Sequence, residues 1–228
     1  MRDKKDSAPL FNKIAKHYDT FNIFASFGIE KSWRRRIKTL FIPKGNILDL
    51  GCGSGQFSKT IINDNCSVFG IDPAIKMLKI GKQRKYNLKF INGYGENLPF
   101  KDNSFDFIIS AFVFRNLKNI NRTLSEIKRV LKEGEKLIIL EFFWPENHLL
   151  SLFFSIYLGH LLPFIYKIFG GNSQDIKYLC FSIKKFYNVK NFKSLLKTHE
   201  FDNIRYLNLS FNLARYFIME KGKENEQN

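Results

Sequence analysis

The chain has 228 residues, a net charge of +16 and 25 phenylalanines. Its length suits one α/β domain with a cap or an insertion, and its three scattered cysteines, Cys52, Cys66 and Cys180, exclude a disulfide framework and a metal-ligand spacing. The basic balance points to an anionic partner, nucleic acid or an acidic membrane surface, or else reflects a Lys- and Asn-rich composition alone.

Met1–Pro9 is expected to be a tail; it is charged and has no apolar run, so no signal peptide is expected. From Leu10, apolar residues Phe11, Ile14, Ala15 and Tyr18 recur at helical spacing. This segment and Trp33-Arg-Arg-Arg36 precede the first strand, so they form a cap or lid, or a helical extension anchored on the sheet edge by Trp33. The run Ile47–Leu50 reads as a buried parallel strand. It stops at Gly51, Gly53 and Gly55, and a helix is expected over Phe57–Asn63. Ser67–Ile71 is a second strand ending in Asp72. Asp72-Pro73 reads as a helix start, with proline in the first position of a helix over Pro73–Arg84. Strands are expected at Leu88–Asn92, Phe105–Ala111 and Lys136–Glu141. A helix over Asn119–Lys132 is expected to end at Glu133-Gly134. The alternation predicts a doubly wound parallel sheet. Ile204–Leu209 and Tyr216–Glu220 read as closing strands, Val189–Phe201 as an outer helix, and Lys221–Asn228 as a polar tail.

The segment Trp144–Gly171 stands apart. Leu149–Tyr166 holds no Asp, Glu, Lys or Arg and just reaches the length of a membrane span. Gly159, His160 and Pro163 interrupt it, and the strands beyond must rejoin the same sheet. Two short helices forming an apolar lid, or an interfacial helix, are therefore expected rather than a span; core helices are the plain alternative.

The stretch Asn46–Gln56 carries the first functional signal. A strand, a glycine turn and a helix bring backbone N–H groups up to a nucleotide-like ligand. The spacing is not G-x-G-x-x-G, because Gln56 takes the last position. The form Asp-x-Gly-x-Gly-x-Gly, Asp49 to Gly55, resembles the first motif of S-adenosylmethionine-dependent methyltransferases. Asp72, at the tip of the second strand, suits a ribose: one carboxylate accepts both hydroxyls.

A more specific resemblance follows. Tyr-Asp-x-x-Asn-x-x-x-Ser-x-Gly-x-x-x-x-Trp-Arg, Tyr18 to Arg34, is similar to the ubiquinone/menaquinone biosynthesis C-methyltransferase family. Further agreement lies at Gly70-Ile-Asp72, Glu96–Phe100, Asp102–Asp106, Arg115-Asn116, Arg129–Lys132 and Leu140–Phe142. The resemblance fades after Pro145 and returns weakly beyond Tyr178. It implies a class I, Rossmann-like methyltransferase sheet with an N-terminal cap (1–45), a cofactor-binding core (46–142), a lid and outer helix (143–200) and closing strands (201–221), the last strand antiparallel. The implied cofactor is S-adenosyl-L-methionine. The implied partner is a polyprenylated quinol, benzoquinol or naphthoquinol, met by a protein of the cytoplasm peripherally associated with the inner membrane. A homodimer is admitted. Nucleic acid is not expected: no Asn/Asp-Pro-Pro-Tyr element or Pro-Cys pair is present, and the basic residues are spread.

By the same resemblance, Asp49, Gly51, Gly53, Ser54, Asp72, Tyr94, Gly95 and Ala111 contact the cofactor, and Tyr18, Asn22 and Trp33 belong to the substrate lid. Arg115 and Asn116 are the catalytic pair, acting through a bound water. Arginine stays charged and cannot be a base, but it can stabilise a phenolate. The sequence departs from the family at Tyr94, where an Asp or Asn is usual, at Phe181, and through Ser210–Phe217. A methyltransferase with another small or lipid acceptor, and a non-catalytic cofactor binder, remain as alternatives.

Overall fold

The computed structural model describes residues 6–168 and 173–222. Its frame is a seven-stranded sheet in the order β3-β2-β1-β4-β5-β7-β6. The strands are β1 Gly45–Leu50, β2 Cys66–Asp72, β3 Leu88–Asn92, β4 Phe105–Ala111, β5 Leu131–Phe142, β6 Phe201–Leu209 and β7 Ala214–Lys221. β1 to β5 are parallel, and β7 lies antiparallel between β5 and β6. The last four residues of β1 are buried on both faces, which explains their unbroken apolar run apart from Asp49. One apolar core fills each face of the sheet.

The helices are α1 Ala8–Ala25, α2 Ile29–Arg36, α3 Ile75–Gln83, α4 Ile120–Val130, α5 His148–Ile168, α6 Ser173–Lys184 and α7 Val189–Thr198. Asn119, Asn147 and Asn188 cap α4, α5 and α7, each side chain accepting the N–H of the third residue on.

Several sequence expectations are corrected. The helix expected over 57–63 is a single 3₁₀ turn, Ser58–Thr60. The glycine turn feeds it with positive φ, and β-branched Thr60, Ile61 and Ile62 give little helical propensity. The helix after Asp72 begins at Ile75, so Pro73 is not its first residue; Asp72 instead accepts the Ala74 N–H at 2.7 Å in the preceding turn. The helix before β5 stops at Val130 rather than Gly134. Leu131 is already extended and pairs with Phe105, while Gly134 takes φ +72° at an irregular stretch of β5. The helix of the cap already begins at Ala8. Of the tail expected over 1–9, residues 1–5 lie outside the described residues; of that over 221–228, Lys221 is strand and 223–228 lie outside.

The apolar insertion is one helical run of 21 residues rather than two helices. Gly159 and His160 are absorbed in a π-helical turn, Tyr157–Leu161, and Pro163 sits in the first turn that follows. α5 packs along α1: Phe21 meets Tyr166 edge-on at 4.8 Å, and the Tyr157 hydroxyl donates to the Ala25 carbonyl. It is long and apolar enough to cross a membrane, yet Leu158, Leu162 and Tyr166 are buried against the protein.

The cap is tied to the antiparallel end of the sheet. The buried Tyr216 hydroxyl donates to the Trp33 carbonyl at 2.7 Å, and the Trp33 indole N–H donates to Ser210 Oγ at 2.9 Å. Tyr216→Phe strands a buried carbonyl, so it is expected to lower stability by about 1–3 kcal/mol in urea unfolding.

Candidate active site

The register places the site. Leu50 lies opposite Ile71 on one side and Ser110 on the other, so the carboxyl ends of β1, β2 and β4 finish in line. The glycine turn, Asp72 and the loop after Ala111 therefore share one edge, where open α/β sheets bind ligands. Gly51 has φ +69°, and a Cβ there would lie 2.3 Å from Val113 Cγ2, so only glycine fits under that loop.

Two cavities open on this edge. The first is the more polar of the two, and its lining includes Asp19, Gly51, Gly53, Ser54, Asp72, the Gly93–Gly95 turn, Ala111 and Asn116. Asp72 accepts the Gly53 N–H at 2.9 Å and the Ala74 N–H at 2.7 Å. Burial pushes its carboxyl up to about 6 against the pull of those two donors. Asn116 donates its amide N–H to the Phe112 carbonyl, and its Oδ1 has no partner among the described residues. A buried orphan acceptor, an acid at the second strand tip and a turn of bare backbone fit a nucleoside that carries donors.

Asp49 is placed differently from expectation. It is absent from the cavity lining; its carboxylate lies beneath the turn and accepts from Ser58 Oγ, and burial pushes it up to about 7. Tyr94 lies at the cavity, with its ring half exposed and its hydroxyl donating to Asp6 at 2.9 Å. Asn92 gives its amide N–H to the carbonyls of Asp72 and Pro73, so it serves the loop.

α1 is fastened over the glycine turn. Asp19 accepts from Ser54 Oγ at 2.6 Å, from Gln56 Nε2 at 3.2 Å and from Arg84 Nη2 at 2.6 Å. The partners Gln56 and Arg84 carry no sequence signal.

The second cavity is apolar. Its walls include Phe21, Asn22, Trp33, Phe142, Phe154, Tyr157 and Leu162, with Arg115 among them. Tyr18, Arg34 and Phe112 line both cavities and form the wall between them. Burial raises the Tyr18 hydroxyl above its ordinary range, opposed chiefly by the nearby Arg115 charge.

The expected catalytic pair is divided by this wall. Asn116 faces the polar cavity and Arg115 the apolar one. Arg115 is buried and ion-paired with Glu141 on β5, whose other oxygen accepts the Arg115 backbone N–H at 3.2 Å. Its guanidinium also lies 5.7 Å from the Phe112 ring centre and 5.5 Å from that of Phe142. Glu141 and Phe112 are the residues that the sequence reading left without a role. A lone acid closing the apolar run Leu137–Leu140 was the available signal for Glu141; Phe112 gave none. Among the described residues no cluster of His, Cys, Asp and Glu is arranged to hold a metal.

A cavity at the carboxyl edge of a sheet that closes with an antiparallel strand is the arrangement of the class I methyltransferase fold. The chain is similar in structure to an S-adenosylmethionine-dependent methyltransferase from Thermotoga maritima, with a TM-score of 0.66, 18% identity and coverage of 93% of this chain and 98% of the other. The chain belongs to the ubiE/COQ5 methyltransferase family, whose sequence model matches residues 1–221. It is 34% identical to the demethylmenaquinone methyltransferase of Thermotoga maritima, over 95% of this chain and 96% of that one. It is also 34% identical to the ubiquinone/menaquinone biosynthesis C-methyltransferase UbiE of Pseudoalteromonas translucida, over 89% and 85%.

The ionised form of Asp72 is the one that can accept two ribose hydroxyls. Cofactor affinity, measured by titration calorimetry, is therefore expected to be steady above about pH 7 and to fall as pH drops through the Asp72 value of about 6. Asp72→Asn should bind about tenfold or more weakly and lose that pH dependence.

Proposed function

We propose that this chain transfers a methyl group from S-adenosyl-L-methionine to a ring carbon of a polyprenylated quinol in menaquinone or ubiquinone biosynthesis. The observation that carries the reading is the pair of cavities, one polar and one apolar, that meet at Tyr18, Arg34 and Phe112. The names of the relatives agree with it.

Bound S-adenosylmethionine supplies a methyl on a sulfonium, already activated toward a carbon nucleophile. The protein's task is then mostly alignment, with reacting atoms brought to about 3–3.5 Å. Asp72 would hold the ribose hydroxyls, the Gly51–Ser54 turn the methionine part and the Gly93–Gly95 backbone the adenine. Asn116 Oδ1 would accept a donor from the cofactor, which answers its missing partner. On the other side, Asn22 and Trp33 help enclose the quinol ring. A quinol hydroxyl proton passes to water, the neighbouring ring carbon forms the new C–C bond as the methyl–sulfur bond breaks, and the ring proton then leaves to water; Arg115 and the Tyr18 hydroxyl stabilise the oxyanion. Glu141 holds the Arg115 fork in place, so Glu141 positions rather than contacts. A peripheral place at the cytoplasmic surface of the inner membrane is supported by α5, which packs on α1 through Phe21 and Tyr166 and leaves an apolar side open.

The test uses purified protein, methyl-labelled cofactor and both demethylated quinols, kept reduced with dithionite. Label in the quinol fraction is expected; cofactor binding without transfer to either quinol would overturn the reading. Arg115→Met alone should cost about 3–5 kcal/mol of stability, because it leaves Glu141 buried without its counter-charge. Arg115→Met with Glu141→Leu should recover most of that in thermal unfolding, bind cofactor as before and turn over about a hundredfold slower. Turnover near that of the unaltered chain in the double variant would remove Arg115 from the reaction.

A further inference from the structure

The mouth of the apolar cavity has an unusual rim. Four of its lining residues, Phe27, Ile29, Phe153 and Phe211, are exposed to solvent. They come from the α1–α2 turn, α2, α5 and the β6–β7 turn. Phe27 is 73% exposed and Phe211 80%. Both hold their rings outward from left-handed backbone, φ +50° and +53°, and Ser210 and Asn212 beside Phe211 are left-handed as well. A bulky side chain rarely takes that conformation, and a turn with no other duty is made with glycine or asparagine. The tip is held by the Trp33–Ser210 hydrogen bond.

The rim continues along α5. Leu149, Leu152, Phe153 and Ile156 recur at helical spacing on its open side, followed by Leu161 at the end of the π-turn and by Phe164 and Ile168 beyond it, all exposed. No acidic residue falls between Leu149 and Ile168, whereas exposed Lys31, Arg35 and Arg36 follow Ile29, and Lys167 precedes Ile168.

We propose that this rim and the open face of α5 form a docking surface for an anionic lipid bilayer, and that the acceptor passes sideways from the hydrocarbon into the cavity while its tail stays in the membrane. The second part rests on the reading of the cavity as a quinol site. Charge favours the bilayer over a second copy: two chains of +16 repel each other, while an acidic leaflet attracts each. A copy seated on the rim would also close the mouth from which a prenyl tail must emerge. A bilayer accepts the apolar rim and the tail together.

The experiment is flotation of the full chain with vesicles of phosphatidylglycerol and phosphatidylethanolamine, and separately of phosphatidylcholine. The unaltered chain should float with the anionic vesicles and more weakly with the neutral ones. Leu152→Asp with Ile156→Asp lies outside the cavity lining. It should reduce partition about tenfold or more and slow methylation of a vesicle-embedded long-tail quinol to match, while cofactor binding and turnover of a tail-free quinol stay unchanged. Phe27→Ser with Phe211→Ser should also reduce partition. A chain that stays in solution with both vesicle types, or variants that float like the unaltered chain, would overturn the docking surface. So would a dimer in sedimentation that the α5 variant converts to monomer. Methylation of quinol in detergent without vesicle binding would leave the catalytic reading standing and remove this one. Vesicle binding without methylation of any quinol would keep the docking face and remove the sideways delivery.

Discussion

A methyl group moves in line from one atom to the other, so a sulfonium and a carbon nucleophile must meet across an open gap of about 3–3.5 Å. The structure is arranged around such a gap. A polar cavity and an apolar one share only Tyr18, Arg34 and Phe112. Phe112 is the part of that wall fixed by the main chain. It follows directly on β4, donates its N–H to the Leu140 carbonyl at 2.7 Å, and takes φ +63°, at a cost of about 1–2 kcal/mol for a residue with a Cβ. Its ring stacks on Phe142 at 4.6 Å. Strand register, the absence of a Cβ at Gly51 and the left-handed step at Phe112 together bring the cofactor turn and the acceptor wall to one line.

Charge is introduced into this apolar region only in matched pairs. Arg34 is bound by Glu30 at 2.5 Å, and Arg115 by Glu141. Both guanidiniums lie against the Phe112 ring. Isolated charges here would carry a large desolvation cost, and pairing offsets most of it. The arrangement keeps the apolar cavity neutral on balance while leaving N–H donors in its wall. The cavity is thus organised by second partners from α2 and β5 as much as by the residues that face it.

Much of this was legible in the chain. The five parallel strands are short apolar runs bounded by turn residues, and β3 and β4 have the bounds expected for them. The place of Asp72 on the cavity was legible because a residue that ends a parallel strand falls on the carboxyl edge of the sheet. The rest depended on contacts between distant segments. Glu141 pairs with Arg115 across two strands, and Asp19 meets Ser54 and Arg84 across more than thirty residues. No local pattern encodes such pairs. The division of Arg115 from Asn116 was likewise hidden, because adjacent residues on a 3₁₀ turn diverge by a direction that only the fold sets. The helix expected after the glycine turn failed for a local reason, the β-branched run after Ser58. A single α5, one of the readings the sequence allowed, could not be told from two short helices because a π-turn absorbs the glycine that suggests a break.

The position of β7 bears on the order in which the chain becomes a protein. It enters the sheet between β5 and β6, and the buried Lys221 ammonium donates to the Leu131 carbonyl and to Asn103. Until residues 214–221 leave the ribosome, β5 presents a bare edge and Trp33 has no Tyr216 to hold the cap. Synthesis proceeds at about 5–20 residues per second, so α5 spends several seconds beyond the exit tunnel with its partner α1 present but the sheet behind it open. The nascent chain thus exposes its most apolar helix and an unpaired strand edge together, a combination that chaperones bind.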